Sequence, residues 1–517
     1  MKSNIFKLVV VALFILGLSS RFEWGNESVS EKNPARPSIG NVRTLWAAYD
    51  QWKAQYVRNG GAQKLNLRLA YTKALSVETT NAHGEMTLDL TDGSVFVKVS
   101  GLSDKESFDV WLINDRPDTG GNPKADPGDR MVHVGRLKHI GGTATLNSRL
   151  SHEALGGFEI NLVAVGRSGK SPRDAGLLFG SPSLFQRFYY GEQRAHFASL
   201  TDSSQRRNRD SALPSFLSVP FGVLIPRPAY ARQESEKLDL SSAMEALIAR
   251  GEKLFFNETF DGNGRTCGTC HPSENNLTID PKFIVALPSN DPLFVAEFNP
   301  NLKCNPKCRF ENPALMRKFG LILENVDGLD DLDRFVMRGV PHTLGLPTSI
   351  TRASFDTVSP PNQRTGWGGD GAPGAATLRD FATGAVRQHF TLTLNRVPGK
   401  DFRLPNSAEL DALEAFQLSL GRQADLNLRV MTLEGPVADL GRQLFLGNEA
   451  KCDQCHSNAG ANLTVVNGES VPSNANFDTG VEDFHIGRTY RLTEASAHKP
   501  GPAHQAVAVM ARSTRLS

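Results

Sequence analysis

The residues best able to do chemistry lie in two short cysteine motifs of the same form. The first reads Cys267-Gly268-Thr269-Cys270-His271, and the second reads Cys452-Asp453-Gln454-Cys455-His456. Two thiols three positions apart can each add to a vinyl group of a haem, and the adjacent histidine can then supply an imidazole nitrogen to the iron. With 6 Cys and 12 His in 517 residues, random order gives about 0.002 such motifs. The pattern therefore predicts two covalently bound c-type haems. The attachment and axial-ligand residues would be Cys267, Cys270, His271, Cys452, Cys455 and His456.

Two other uses of paired cysteines fit the sequence less well. A zinc ribbon also has two Cys-x-x-Cys pairs, but they usually lie about 15–20 residues apart, and here they lie far apart in the chain. A thioredoxin-like dithiol needs a βαβ frame and no histidine. Both alternatives stay open, and haem attachment is the preferred interpretation.

Composition and the N-terminus indicate an exported protein. The net charge is +2 and no long basic run occurs, so no nucleic-acid partner is expected. Lys2 and Lys7 precede an apolar run over 8–18 and then small residues, which is the order of a secretory signal. We predict a signal peptide at 1–20 and a periplasmic or otherwise exported location, where bacterial c-type haem is attached. The run is too short for a stable membrane span, although the lack of an Ala-x-Ala site leaves an uncleaved anchor as the alternative.

The chain before the first motif predicts an all-β sandwich with a leading helix, over residues 41–190. Trp46, Tyr49, Trp52 and Tyr56 share one helix face, which favours packing. From Met86 the apolar period changes to two, with a hairpin turn at Asp92-Gly93 and further strand-like runs up to Val165. The loop 114–129 is rich in aspartate, and calcium there is an alternative to a solvated loop, without support from a known template. Residues 191–240 form a proline-bearing linker.

An internal repeat predicts two mainly α cytochrome c domains after this linker, the second incomplete. Gly251-Glu252-Lys253-Leu254-Phe255 precedes the first motif, and Gly441-Arg442-Gln443-Leu444-Phe445 precedes the second. The glycine would allow a second helix to cross closely, and a helix that begins near Asn406 is the expected partner of Gly251. The sequence thus predicts a multidomain chain, with cytochrome c domain 1 at 241–430 and a short domain 2 at 431–517.

Over residues 241–485 the chain resembles the bacterial di-haem cytochrome c peroxidase-like family. The resemblance is carried by residues 251–271, 338–344, 367–371, 377–390 and 441–461. In this family a helix that starts near Thr-Leu and continues through Ala-Val presents the distal ligand to a haem. The matching run starts at Thr377 and reaches His389. The resemblance therefore implies that His389 is a metal ligand, opposite His271 on the first iron. The alternatives are that His389 is a helix-surface residue, or that His342, Met316 or Met337 is the ligand.

The order of the family's stretches differs in this chain. Pro341-His342-Thr343-Leu344 and Asp370-Gly371 lie between the two motifs rather than after the second, so they are expected to serve the first haem. Residues 485–517 lack apolar periodicity, which predicts an atypical or truncated C-terminus and a second haem without its distal helix. Trp367 could relay electrons or pack against the porphyrin. Cys304 and Cys308 have no following histidine and predict a local disulfide, with two free thiols as the alternative.

These expectations lead to one functional hypothesis and two alternatives. The hypothesis is an exported di-haem c-type cytochrome that passes electrons from a small redox donor protein to hydrogen peroxide or a related oxidant. The residue that would act as acid or base is not identified by the sequence. The first alternative is a non-catalytic electron carrier or partner-binding module in which both haems are six-coordinate. The second is an inactive remnant whose sandwich binds a partner.

Overall fold

In the computed structural model of this chain, nine strands between residues 64 and 180 form one antiparallel sheet. The strands are β1 Lys64–Ala70, β2 His83–Asp89, β3 Ser94–Ser100, β4 Phe108–Asn114, β5 Arg130–Arg136, β6 Lys138–Ile140, β7 Thr143–Arg149, β8 Leu162–Arg167 and β9 Gly176–Gly180. Their spatial order is β5-β4-β8-β9-β1-β2-β3-β7-β6. The predicted hairpin is confirmed, because β2 and β3 pair with Met86 opposite Val97 and Leu88 opposite Val95.

The structure describes only part of the chain. The described residues are 38–58, 60–115, 124–151, 158–193, 229–325, 328–341, 343–346, 377–421, 428–454, 464–466 and 469–471. The chain divides into two compact units, Met1–Ile39 and Gly40–Ser517. The predicted signal peptide lies outside the described residues. The nine-stranded sheet and the helices all belong to the second unit.

The prediction of a β-sandwich is wrong, because the strands form a single sheet that nearly closes on itself. Near its two ends, Ser148 Oγ of β7 donates a hydrogen bond to Val134 O of β5 at 2.9 Å. Side chains such as Met86, Val97 and Val110 fill the interior. Alternating apolar residues show that each strand has one buried face. They do not show whether that face meets a second sheet or the far side of the same curled sheet.

Helices are the main regular structure of the remaining described chain. They are α1 Val42–Arg58, α2 Pro172–Ala175, α3 Leu184–Gln193, α4 Ala229–Asn257, α5 Cys267–Cys270, α6 Pro281–Ala286, α7 Val295–Phe298, α8 Pro313–Phe319, α9 Leu378–His389, α10 Ser407–Leu418 and α11 Pro436–Leu446. Two small hairpins accompany them, β10 Leu321–Glu324 with β11 Val336–Gly339 and β12 Thr464–Val466 with β13 Glu469–Val471. In the part of the chain that the structure describes, no helix is long and apolar enough to cross a membrane.

The prediction of two cytochrome c domains is also wrong. Helices α4, α9 and α10 do not enclose a core of their own; they share one apolar core with α1, α3 and sheet residues such as Ile113 and Phe179. Within this core, Tyr49, Trp52 and Tyr56 of α1 are fully buried, as their helical spacing predicted. Helical periodicity and caps indicated α1, α4 and α10, but periodicity does not identify the surface that covers each apolar face. Here the outside of the sheet supplies part of that surface.

The close helix crossing predicted at Gly251 is present. A Cβ atom at Gly251 would lie 1.9 Å from Ala412 O and 2.7 Å from Phe416 Cβ, so α10 passes directly over α4. The equivalent glycine of the second repeat differs. Among the described residues, a Cβ atom at Gly441 would meet nothing within 4 Å, and no residue of α11 is buried. The repeat in sequence is therefore not matched by a repeat in packing.

Candidate functional site

The first cysteine motif forms a short helical turn whose histidine is held by the backbone. His271 N donates to Cys267 O at 2.9 Å, which closes the turn of α5. His271 Nδ1 lies 2.8 Å from Leu277 O. Because a carbonyl oxygen only accepts, Nδ1 carries the proton and Nε2 carries the lone pair. Metal-binding histidines usually make such a bond through their other nitrogen.

A large cavity opens beside this motif. Its empty volume is about 1070 Å³, including space open to solvent at the mouth. Cys267, Cys270 and His271 lie in its wall, and most of the other lining residues are apolar. These come from several elements and include Phe255, Ile322, Val340, Leu378 and Leu413. Concave sites with a mostly apolar lining and a few polar groups are typical of cofactor and small-molecule sites.

Helix α9 supplies the opposite part of the lining and ends at His389. Thr377 starts it with a capping box: its side chain accepts from Asp380 N, and its own N–H donates to the Asp380 carboxylate at 3.1 Å. Leu378, Ala382, Ala385, Val386 and His389 all line the cavity, and their spacing places them on one helix face. The predicted helix that carries His389 toward the first motif is confirmed as a structural element.

Strand β11 and the residues after it supply a further part of the lining. Arg338, Val340, Pro341 and Thr343 line the cavity. These residues belong to the stretch expected to serve the first motif rather than the second, and they lie in the same cavity wall as that motif.

Buried charged side chains cluster around His389, partly in the cavity wall and partly behind it. His389 Nε2 lies 2.8 Å from Glu324 Oε2, and Nδ1 lies 3.9 Å from Glu311 Oε1. Arg338 Nη2 is 3.3 Å from the same oxygen of Glu324, and Arg265 Nη1 is 3.1 Å from Glu311 Oε1. Burial alone would raise the pKa of Glu324, but the charges of Lys73 and Arg338 outweigh burial and hold this pKa well below its usual range. Glu324 is therefore a carboxylate.

His389 is thus in the cavity wall and not on the helix surface, with 15 % of its side chain exposed. Its Nε2 contacts Glu324. To ligate an iron through Nε2, the ring would have to give up that contact. The assignment of His389 as distal ligand stays a prediction. Met316 and Met337 are buried but do not line the cavity, and His342 lies outside the described residues.

Both thiols of the first motif, Cys267 and Cys270, are uncharged near neutral pH. Burial, with a further contribution from Cys270, raises the pKa of Cys267 to about 12. Burial also raises the pKa of Cys270 to about 11. Among the described residues, no group of three or more His, Cys, Asp or Glu side chains is arranged to hold a metal ion. This holds both for the first motif and for the described part of the aspartate-rich loop.

The second motif is only partly described. Cys452 lies in a single turn, Cys452–Gln454, and its Sγ is 3.8 Å from Ala450 O. Cys455 and His456 lie outside the described residues, as do Trp367, Asp370 and Gly371. The assignment of Cys452, Cys455 and His456 as a second haem site stays a prediction. Cys304 and Cys308 form a disulfide, as their spacing predicted.

The comparisons with known proteins found no match: no family model, curated protein or solved structure is similar to this chain. The resemblance to the di-haem peroxidase-like family therefore rests on the two cysteine motifs and the stretches around them, and it stays a prediction.

Sequence reasoning missed the buried charged residues in the cavity wall and behind it. Lys73, Arg265, Glu311, Glu324 and Arg338 are nearly or fully buried, and nothing in their sequence positions distinguishes them from surface charges. Only Arg265 and Arg338 lie in or beside a motif. The other three are recognisable only from the contacts that the fold creates.

Proposed function

We propose that this chain is an exported redox protein of the di-haem peroxidase-like type, with one c-type haem attached at Cys267 and Cys270 and a second at Cys452 and Cys455. One observation carries the proposal. The first motif and His389, which are far apart in sequence, line one mostly apolar cavity. When bound, haem supplies one-electron redox chemistry and an iron that can bind an oxidant.

The residues around the cavity fit this cofactor. His271 has its proton on Nδ1 and its lone pair on Nε2, which is the form that ligates iron. The mostly apolar lining suits a porphyrin. Arg265 and Arg338 also reach the wall, where each is paired with a buried glutamate, Glu311 and Glu324 respectively.

The proposed reaction takes two electrons from a small redox donor protein. With two protons, these electrons convert one hydrogen peroxide to two waters. Among the described residues, His389 and Glu324 could hold or move a proton at the cavity, and they share a hydrogen bond at 2.8 Å. His389 lines the cavity, and Glu324 lies behind it.

Removal of cysteine pairs tests the attachment sites. The full-length protein should carry two haems per chain by the pyridine haemochrome assay, and the variant C267A/C270A should carry one. C304A/C308A is the matched control, because it removes the disulfide cysteines and should leave both haems. An unchanged haem content in C267A/C270A would contradict the proposal.

The peroxide reaction has a separate test. The protein with both haems should consume hydrogen peroxide when it is supplied with a reduced small donor protein, and the spectrum should change when peroxide is added to the half-reduced form. If no haem becomes high-spin on half-reduction and peroxide changes nothing, the chain is an electron carrier and not a peroxidase.

A further inference from the structure

One buried lysine joins the charged cluster beside the cavity. Lys73 lies in the segment that follows β1, and its side chain is only 1 % exposed. Its Nζ forms an ion pair with Glu324 Oε1 and donates to Gln388 Oε1 at 3.3 Å. Gln388 precedes His389 on α9. A lysine so completely buried is rare unless it is paired.

The backbone around Lys73 is fastened to the same elements. Arg387 Nη1 of α9 donates to Lys73 O at 2.5 Å. Further along, Thr79 N and Thr79 Oγ1 both lie 2.5 Å from Asp330 Oδ2, in the loop that joins β10 to β11. The segment 73–79 is therefore attached both to the helix that carries His389 and to the hairpin that carries Glu324.

The two carboxylate oxygens of Glu324 have different partners. Oε1 pairs with Lys73, while Oε2 contacts His389 at 2.8 Å and Arg338 at 3.3 Å. Without Lys73, Oε1 would lose its charged partner in a site where Glu324 is 2 % exposed. The carboxylate could then turn, and His389 would lose an acceptor that is fixed in place.

We infer that Lys73 is a positioning residue for the first haem site, acting through Glu324 on the ring of His389. The segment that follows β1 thereby contributes to the site, although Lys73 does not line the cavity. This inference rests on the proposed function, because it concerns how Glu324 holds the ring of His389 beside a haem at Cys267 and Cys270.

Cyanide binding to the ferric first haem is the direct test. The background is the full-length protein with C452A/C455A, so that only the first site reports. Cyanide competes with His389 for the iron. Glu324 holds His389 Nε2 in this structure, so a Glu324 that is no longer fixed releases the imidazole to the iron, and cyanide then binds less tightly. We expect K73M to raise the cyanide Kd about tenfold, as is ordinary for coupled neighbours in a buried network. K98M is the matched control, because Lys98 is an exposed lysine of the nine-stranded sheet, and its Kd should stay within about twofold of the background.

A double-mutant cycle shows whether Lys73 acts through Glu324. In the E324Q background, the additional K73M change should leave the cyanide Kd unaltered. If K73M alone fails to fold, the comparison of E324Q with K73M/E324Q still provides the test, since neither of these variants contains a Glu324 carboxylate without a partner. If K73M/E324Q differs from E324Q about tenfold, Lys73 acts by another route and the inference is overturned.

The failure of the inference and the failure of the proposed function give different results. If the C452A/C455A protein contains no haem, the proposed function fails at the first site. If haem is present and K73M and K98M bind cyanide equally, the inference alone is overturned. Thermal unfolding of the haem-free protein, C267A/C270A/C452A/C455A, adds a readout that needs no cofactor. There, K73M and E324Q should show non-additive losses of stability, and additive losses would contradict the contact.

Discussion

The crossing of α4 and α10 gives the most direct test of the packing. In Gly251→Ala the new Cβ would lie 1.9 Å from Ala412 O. Because ordinary contacts begin at about 3.4 Å, the two helices would have to separate locally by roughly 1.5 Å. Overpacking of this severity costs about 3 kcal/mol or more. Alanine recovers about 1 kcal/mol of helix propensity, so we expect a net loss of about 2 kcal/mol in the free energy of unfolding.

Gly441→Ala is the matched control for this change. It makes the same substitution at the equivalent position of the repeat, where a Cβ would meet no described atom within 4 Å. Only the propensity gain of about 1 kcal/mol should remain. Urea unfolding followed by circular dichroism should therefore shift the two midpoints in opposite directions. A Gly251→Ala protein as stable as the wild type would refute the crossing, and an equal loss in Gly441→Ala would show that α11 is covered as α4 is.

Three further predictions concern buried charge and a helix cap. Burial, with the charges of two neighbouring aspartates, raises the pKa of Asp115 to about 7. Its folded-state pKa thus exceeds the unfolded value near 3.9, so its contribution to stability is full below that value and is lost as pH rises through about 7. Asp115→Asn should flatten the decline in unfolding free energy between pH 4 and 7. Arg265→Met leaves Glu311 buried without its cation and should cost about 3–5 kcal/mol by urea unfolding. Arg149→Met, at an exposed pair, should cost less than about 1 kcal/mol. Thr377→Ala removes the capping box of α9 and should lower stability by about 1 kcal/mol in the same assay.

Each of these results has an outcome that contradicts the physical reason given. An unchanged pH profile in Asp115→Asn would mean that another group holds the proton. Equal losses in Arg265→Met and Arg149→Met would mean that burial does not distinguish the two ion pairs. If Thr377→Ala unfolds at the same urea concentration as the wild type, the cap does not limit the stability of α9.

Local sequence signals identified the elements of the site. The motif at Cys267 and the role of Gly251 follow from residues close together in the chain, whereas the helix that ends at His389 was expected from the resemblance to the family. Short-range spacing determines helices and turns, and for this reason these features could be predicted. The hairpin around Asp92-Gly93 belongs to the same class.

The features that the sequence did not predict depend on contacts between residues far apart in the chain. Lys73 and Glu324 are 251 positions apart, and no local pattern links a lysine after one strand to a glutamate at the end of another. The closure of the sheet and the shared core of sheet and helices have the same origin. An apolar face must be covered, but periodicity does not specify what covers it, and this produced both errors in the predicted fold.

The central claim is a covalent haem at the first motif, and peptide mass spectrometry tests it most directly. The protein should be produced by export in a host that attaches c-type haem, unfolded, alkylated and digested. The peptide that spans Cys267 and Cys270 should carry one haem and no alkyl group on either cysteine. The same peptide found without haem, with both thiols alkylated, would contradict the proposed function.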